Sequence, residues 1–135
     1  MIQNSIRFVV LALLLTVVGC GKNELHVEGP PLEKTVGDYL LVYSDRNFPA
    51  ERPLEITLKK IPVTSTVQGK IVGLNMSMGT IPLFFQKNAD GSWSGQFMLG
   101  ACTEPVMQWR LTVDITDNQG QTVTLTDSFE VRQSN

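Results

Sequence analysis

The sequence predicts an all-β protein, one antiparallel sandwich of about seven strands behind an N-terminal address segment. Three observations predict it. Beyond position 38 the apolar residues recur with a period of two, and nowhere do they sustain the 3.6-residue period of a helix. Clusters of Asn, Asp and Gly punctuate these runs, most clearly at 88–91 and 117–120. The chain has 135 residues, of which 42% are hydrophobic and 18% charged. That is enough for one packed domain and too little for two.

The elements follow in chain order. Met1 to Arg7 carries one positive charge, and Phe8 to Val18 is apolar apart from Thr16. A bilayer span needs about 20 apolar residues, so this shorter stretch has the form of a signal peptide. It ends in Val17-Val18-Gly19-Cys20, which resembles the bacterial lipobox: aliphatic residue, tolerant position, small residue, then the Cys that receives lipid. The resemblance implies that residues 1–19 are a lipoprotein signal peptide and that Cys20 becomes the acylated, palmitate-type membrane anchor on the periplasmic side. The acyl chains would hold it at roughly 0.8 kcal/mol per buried CH₂. Gly21 after Cys20 favours the outer membrane over the inner by lipoprotein sorting rules. The competing reading is an ordinary secretory signal with a chance Cys.

Residues 20–37 hold Gly29, Pro30 and Pro31 without apolar periodicity, and are expected to be a tether to a domain spanning 38–135. Tyr39 to Tyr43 is a short first strand. Leu54, Ile56 and Leu58 alternate, and Ile61-Pro62 turns a corner. Thr64 to Met76 is a longer, less regular strand. Ile81, Leu83 and Phe85 lead into Asn88-Ala89-Asp90-Gly91, and Trp93, Phe97 and Leu99 lead out. Met107 to Thr116 alternates without a break, with Trp109 as its core anchor. After Asp117 to Gly120, Val123, Leu125, Phe129 and Val131 return in one phase. Asp127 falls in that phase, which predicts a bulge or an edge there. The pattern is that of an immunoglobulin-like sandwich, with a small closed barrel as the alternative.

Composition removes several function classes. The net charge of −2 provides no basic footprint for nucleic acid. The one His, His26, lies in the tether, so no Ser–His–Asp set is expected in the domain. No Gly-rich phosphate loop occurs, and the protein is not expected to be an enzyme. Asp38, Asp45 and Glu55 read as a solvated surface.

The chemistry-bearing residues are sulfurs. Met76, Met78, Met98, Cys102 and Met107 fall between positions 76 and 107, whereas residues 21–75 hold neither Met nor Cys. If each strand reverses the one before, loops 76–80 and 100–106 share one end of the domain. Counting back through the strands puts the tether at the opposite end, so the cluster would point away from the membrane. Thioether and thiolate sulfurs are soft ligands that select Cu(I). Met76 and Met78 flank Ser77 in a loop-like stretch. Met98 shares the phase of Ser94 and Gln96, which makes it exposed or an edge residue. Met107 is in phase with Trp109 and Leu111, a core position. With Cys20 lipidated, Cys102 has no intrachain disulfide partner; metal ligation, redox or intermolecular chemistry, and a buried inert thiol are its three readings.

Met76-Ser77-Met78-Gly79, Asp90-Gly91-Ser92-Trp93-Ser94-Gly95, Met98-Leu99-Gly100-Ala101-Cys102 and Met107-Gln108-Trp109 together resemble the YtkA/FixH-like group of periplasmic sandwich domains. The resemblance covers about residues 36–131 and is specific over 76–109. It implies a sandwich fold and a role in copper handling or cytochrome oxidase assembly, with a copper chaperone or an oxidase subunit as partner. The expected function is therefore a membrane-anchored periplasmic lipoprotein that binds Cu(I) through Cys102, Met76, Met78, Met98 and Met107. The alternative is a metal-free envelope module that docks a protein partner through its loop end or a sheet edge.

Overall fold

The computed structural model describes residues 29–132, and the architecture over them is all-β. The signal peptide, Cys20 and His26 lie outside the described residues. Eight strands follow one another among those residues: β1 (Leu32–Val36), β2 (Tyr39–Tyr43), β3 (Pro53–Lys59), β4 (Thr66–Gly73), β5 (Thr80–Lys87), β6 (Trp93–Met98), β7 (Val106–Thr116) and β8 (Thr122–Arg132). Their spatial order is β1-β2-β3-β6-β5-β4-β7-β8, and every neighbouring pair is antiparallel. Strands β1 and β8, at the two ends of this order, approach each other. The sandwich is thus curled into a nearly closed barrel.

The period-two runs become strands with one face inward. In β7, Met107, Trp109, Leu111, Val113 and Ile115 are all buried while Gln108, Arg110 and Asp114 are exposed. Leu54, Ile56 and Leu58 of β3 and Leu41 and Tyr43 of β2 meet them in a single core. The ring of Phe85 lies across the barrel where β5 meets its neighbours. A Cβ at Gly69 would stand 2.9 Å from the ring and one at Gly95 3.2 Å from it, so small residues are needed on both sides.

Pairing between β5 and β6 covers only Phe85↔Gly95, Gln86↔Ser94 and Lys87↔Trp93. Above these residues β5 stays with β4 through Thr80–Phe84, while β6 stays with β3 through Gly95–Met98. The barrel wall therefore splits toward one end, and the loops following β4 and β6 lie at that end.

Four features differ from the sequence expectations. Residues 32–36, within the expected tether, form β1, so the sandwich has eight strands. The pattern is hidden because the middle inward residue of Leu-Glu-Lys-Thr-Val is Lys34. Strand β4 stops at Gly73 rather than Met76, because the Asn75 side chain takes the place of the next backbone partner. Its Nδ2 donates to the Val106 carbonyl at 2.8 Å and its Oδ1 accepts from the Gln108 amide at 2.9 Å. Asp45 is 3% exposed, not a solvated carboxylate; it accepts from the Asn47 amide at 2.8 Å and shapes the β2–β3 loop. Finally, β1 reverses the orientation inferred for the tether. Leu32 pairs with Tyr43 and Pro53 with Met98, so the chain enters at the end that carries the 74–79 and 99–105 loops.

Asp127 produces no bulge: the register runs unbroken from Val106↔Arg132 to Thr116↔Thr122, and β8 is an end strand. The Asp127 carboxylate faces the seam between β8 and β1. Lys34 Nζ lies 3.0 Å from each of its oxygens, and the Tyr43 hydroxyl donates to Oδ2 at 2.7 Å. Burial, reinforced by the hydrogen bond to Asp127 and that residue's charge, drives the Tyr43 phenol well above the ordinary tyrosine range. Side chains hold the seam where backbone ladders hold the other junctions.

Candidate metal-binding end of the barrel

One end of the barrel gathers the β2–β3 loop (44–52), the β4–β5 loop (74–79), the β6–β7 loop (99–105), the entry to β1 and the exit of β8. Met76 and Met78 ride on the second of these loops and Cys102 on the third. The shared end follows from strand alternation, and the pairings Gly73↔Trp109 and Pro53↔Met98 establish it.

Local chemistry fixes each loop. The two-point bond from Asn75 to β7 pins the start of the β4–β5 loop, and Gly79, at φ +73°, turns the chain into β5. Each thioether side chain on this loop lies over a glycine. A Cβ at Gly73 would stand 3.0 Å from Cγ of Met76, and the terminal methyl of Met78 fills the space that a Cβ at Gly100 would need. The Met78 side chain thereby bridges from the β4–β5 loop to the β6–β7 loop, arriving two residues before Cys102. Met76, Met78 and Cys102 are all half-buried and pack against the same core. Of the three, the Met78 side chain spans the split end of the wall.

The other two candidate ligands are placed differently. Met107 is completely buried at the start of β7, beneath this end, as a member of the core. Met98 is 52% exposed on the outer face of β6, on the side shared with Gln96 and Ser94. Its alternation with buried Phe97 and Leu99 turns it away from Met76, Met78 and Cys102. The candidate ligand set narrows to these three. Among the described residues no group of three or more His, Cys, Asp and Glu side chains gathers; the thioethers of Met76 and Met78 are the soft donors on the same end as Cys102.

The β2–β3 loop is the part of this end that the sequence reading passed over. Its signal was present in Asp45-Arg46-Asn47, a turn in which the Asp side chain bonds the backbone two residues on. Phe48 and Glu51 adopt φ of 47° and 59°, in the left-handed region that side chains disfavour. Packing offsets that cost at Phe48: its ring is stacked on Phe129 at 4.2 Å and meets Tyr43 edge-on at 5.0 Å. The Glu51 amide donates to the Leu99 carbonyl at 2.8 Å, which ties this loop to the residue preceding Gly100.

No family model matches the chain, and no curated protein matches it. Among solved structures, the chain is similar to a DUF4426 family protein from Pseudomonas aeruginosa, with 16% sequence identity and a TM-score of 0.48. The alignment covers 78% of this chain and 97% of that one.

Proposed function

We propose that the protein is a periplasm-facing lipoprotein, anchored through acylated Cys20, that binds Cu(I) with the Cys102 thiolate and the Met76 and Met78 thioethers. In this reading it holds or passes copper in the cell envelope, in copper handling or oxidase assembly, and acts by binding rather than by catalysis. A copper chaperone or an oxidase subunit is the matching partner class, and the outer membrane is the favoured site of anchorage. The observation that carries the reading is the seating of the Met78 methyl on Gly100, beside Cys102. It joins two loops far apart in sequence into one sulfur-bearing surface. The similarity of 76–109 to the YtkA/FixH-like group supports the same reading.

The ligand chemistry is coherent. Thiolate and thioether sulfurs are the soft donors that Cu(I) prefers, and the thiolate supplies the one negative charge of the set. Binding releases the thiol proton, so affinity falls as the pH is lowered. The test is anaerobic Cu(I) competition against a chelator of micromolar affinity, using the detergent-solubilised lipoprotein. Wild type should take up copper, and Cys102→Ser should weaken binding by orders of magnitude. Met76→Leu and Met78→Leu, which keep apolar volume and remove sulfur, should each weaken it as well. Failure of the wild type to compete, or wild-type affinity in Cys102→Ser, would overturn the reading.

A second reading is a metal-free module that docks a protein partner. Phe84, 80% exposed, and Met98 stand on the outer faces of β5 and β6, beside a shallow groove that Glu55, Gln86, Ser94 and Gln96 line. These two exposed apolar side chains beside a polar groove favour docking through the sheet face. The two end strands of the sheet are bridged to each other by Lys34 and Asp127, which leaves less room for strand addition there.

A further inference from the structure

We propose that the barrel end carrying Met76, Met78 and Cys102 is held facing the membrane that bears the lipid anchor. The proposal rests on the anchoring of Cys20 assigned above. In this arrangement, exchange with a component of that membrane needs no reorientation of the domain.

The argument is one of strand parity and reach. Strand β1 starts at the sulfur-bearing end, with Leu32 opposite Tyr43. Before β1 begins, the chain is already fastened there: the Pro30 carbonyl accepts from the Arg46 amide at 3.0 Å. Gly29 packs so closely on the buried Asp45 carboxylate that a Cβ at position 29 would overlap it. The point of attachment is therefore the β2–β3 loop, which Glu51 ties to Leu99 beside Gly100.

Gly29 lies nine residues after Cys20. Whatever their conformation, nine residues span at most about 32 Å. Strand β7, with eleven residues, has a length of about 36 Å, which at a barrel tilt of about 35–45° spans about 25–30 Å along the axis, and the 88–91 and 117–120 turns lie at the opposite end. Bringing that opposite end to the membrane would require the segment to run back beside the barrel at nearly full stretch. With a slacker segment, standing the barrel on its attachment end leaves the sulfur-bearing end nearest the membrane, and laying it on its side is the alternative that the test below separates. Chain entropy therefore favours this orientation over the inverted one without any specific contact to lipid.

The test uses the lipidated full chain in the Cys102→Ser background, with a nitroxide placed on Ser77→Cys or on Asn118→Cys. Ser77 and Asn118 are exposed at opposite ends of the barrel. The protein is reconstituted in phosphatidylcholine vesicles containing a Ni(II)-chelating headgroup lipid, and paramagnetic relaxation of each label is measured. The position 77 label should relax severalfold faster than the position 118 label. Inserting fifteen Gly/Ser residues between Glu28 and Gly29 should abolish the difference. Equal relaxation at the two positions, faster relaxation at 118, or a difference that survives the insertion would overturn the proposal. Failure of the protein to float with the vesicles is a separate outcome and overturns the anchor itself.

Discussion

Replacing Asp127 by Ala removes the acceptor that joins β8 to β1 and β2 across the seam. Two interactions disappear. The Tyr43 hydroxyl, on a residue that is 1% exposed, loses a 2.7 Å bond to a carboxylate. A hydrogen bond to a charged acceptor contributes about 1.5–3 kcal/mol. Lys34, whose side chain is 30% exposed, loses its ion pair but retains access to water. A pair of that exposure contributes about 0.2–1 kcal/mol. The combined loss is about 2–4 kcal/mol, a large share of the roughly 5–15 kcal/mol by which a domain is stable. With a urea slope of about 1–3 kcal/mol/M, the unfolding midpoint should fall by about 0.7–4 M. Urea unfolding followed by tryptophan fluorescence measures it. Lys34→Met should cost about 1 kcal/mol or less. Tyr43→Phe combined with Asp127→Ala should be less damaging than the sum of the two single changes, because they share one hydrogen bond. A loss below about 1 kcal/mol for Asp127→Ala, or strict additivity with Tyr43→Phe, would refute the reasoning that this cluster closes the barrel.

The raised pKa of Tyr43 makes stability fall at high pH. Above the ordinary tyrosine pKa of about 10 the unfolded chain releases this proton and the folded chain keeps it, so stability declines by up to about 1.4 kcal/mol per pH unit. It is fully present below that pH, and Tyr43→Phe should flatten the decline seen in denaturation midpoints between pH 9 and 11. Trp109, completely buried in mid-β7, should cost about 3–5 kcal/mol when replaced by Ala; a chemical-denaturation loss below about 1 kcal/mol would contradict its place in the core. Cys20→Ala should abolish incorporation of labelled fatty acid and leave the chain unprocessed or soluble; a variant still cleaved and retained in carbonate-washed membranes would contradict the lipobox reading.

Much of this architecture was legible in the order of residues. Side chains on a strand alternate between faces, so unbroken runs such as Met107 to Thr116 identify both the strand and its buried side. The 88–91 turn was equally clear. Asp90 accepts from the Ser92 amide and hydroxyl, and these bonds hold its carboxyl below the ordinary aspartate range. Where the pattern was interrupted, sequence reasoning lost its signal. Leu32–Val36 was missed because Lys34 stands where an apolar residue was expected, and Asp127 broke the phase of β8 in the same way. In the fold these two interruptions face each other as one ion pair. Each is unintelligible along its own strand, because its compensation lies 93 residues away.

The candidate site divides along the same line. By itself the sequence determined that the domain is an antiparallel β structure, that its soft sulfurs lie in neighbouring stretches, and that loops 76–80 and 100–106 share an end. These are consequences of local alternation and strand reversal. Only the tertiary structure decided where each sulfur lies. It set Met78 on Gly100 beside Cys102, sank Met107 into the core and turned Met98 outward. It also decided which end the chain enters, since one additional strand inverts the direction of everything before it. Such facts depend on contacts between distant segments, and a pattern of nearest neighbours does not encode them.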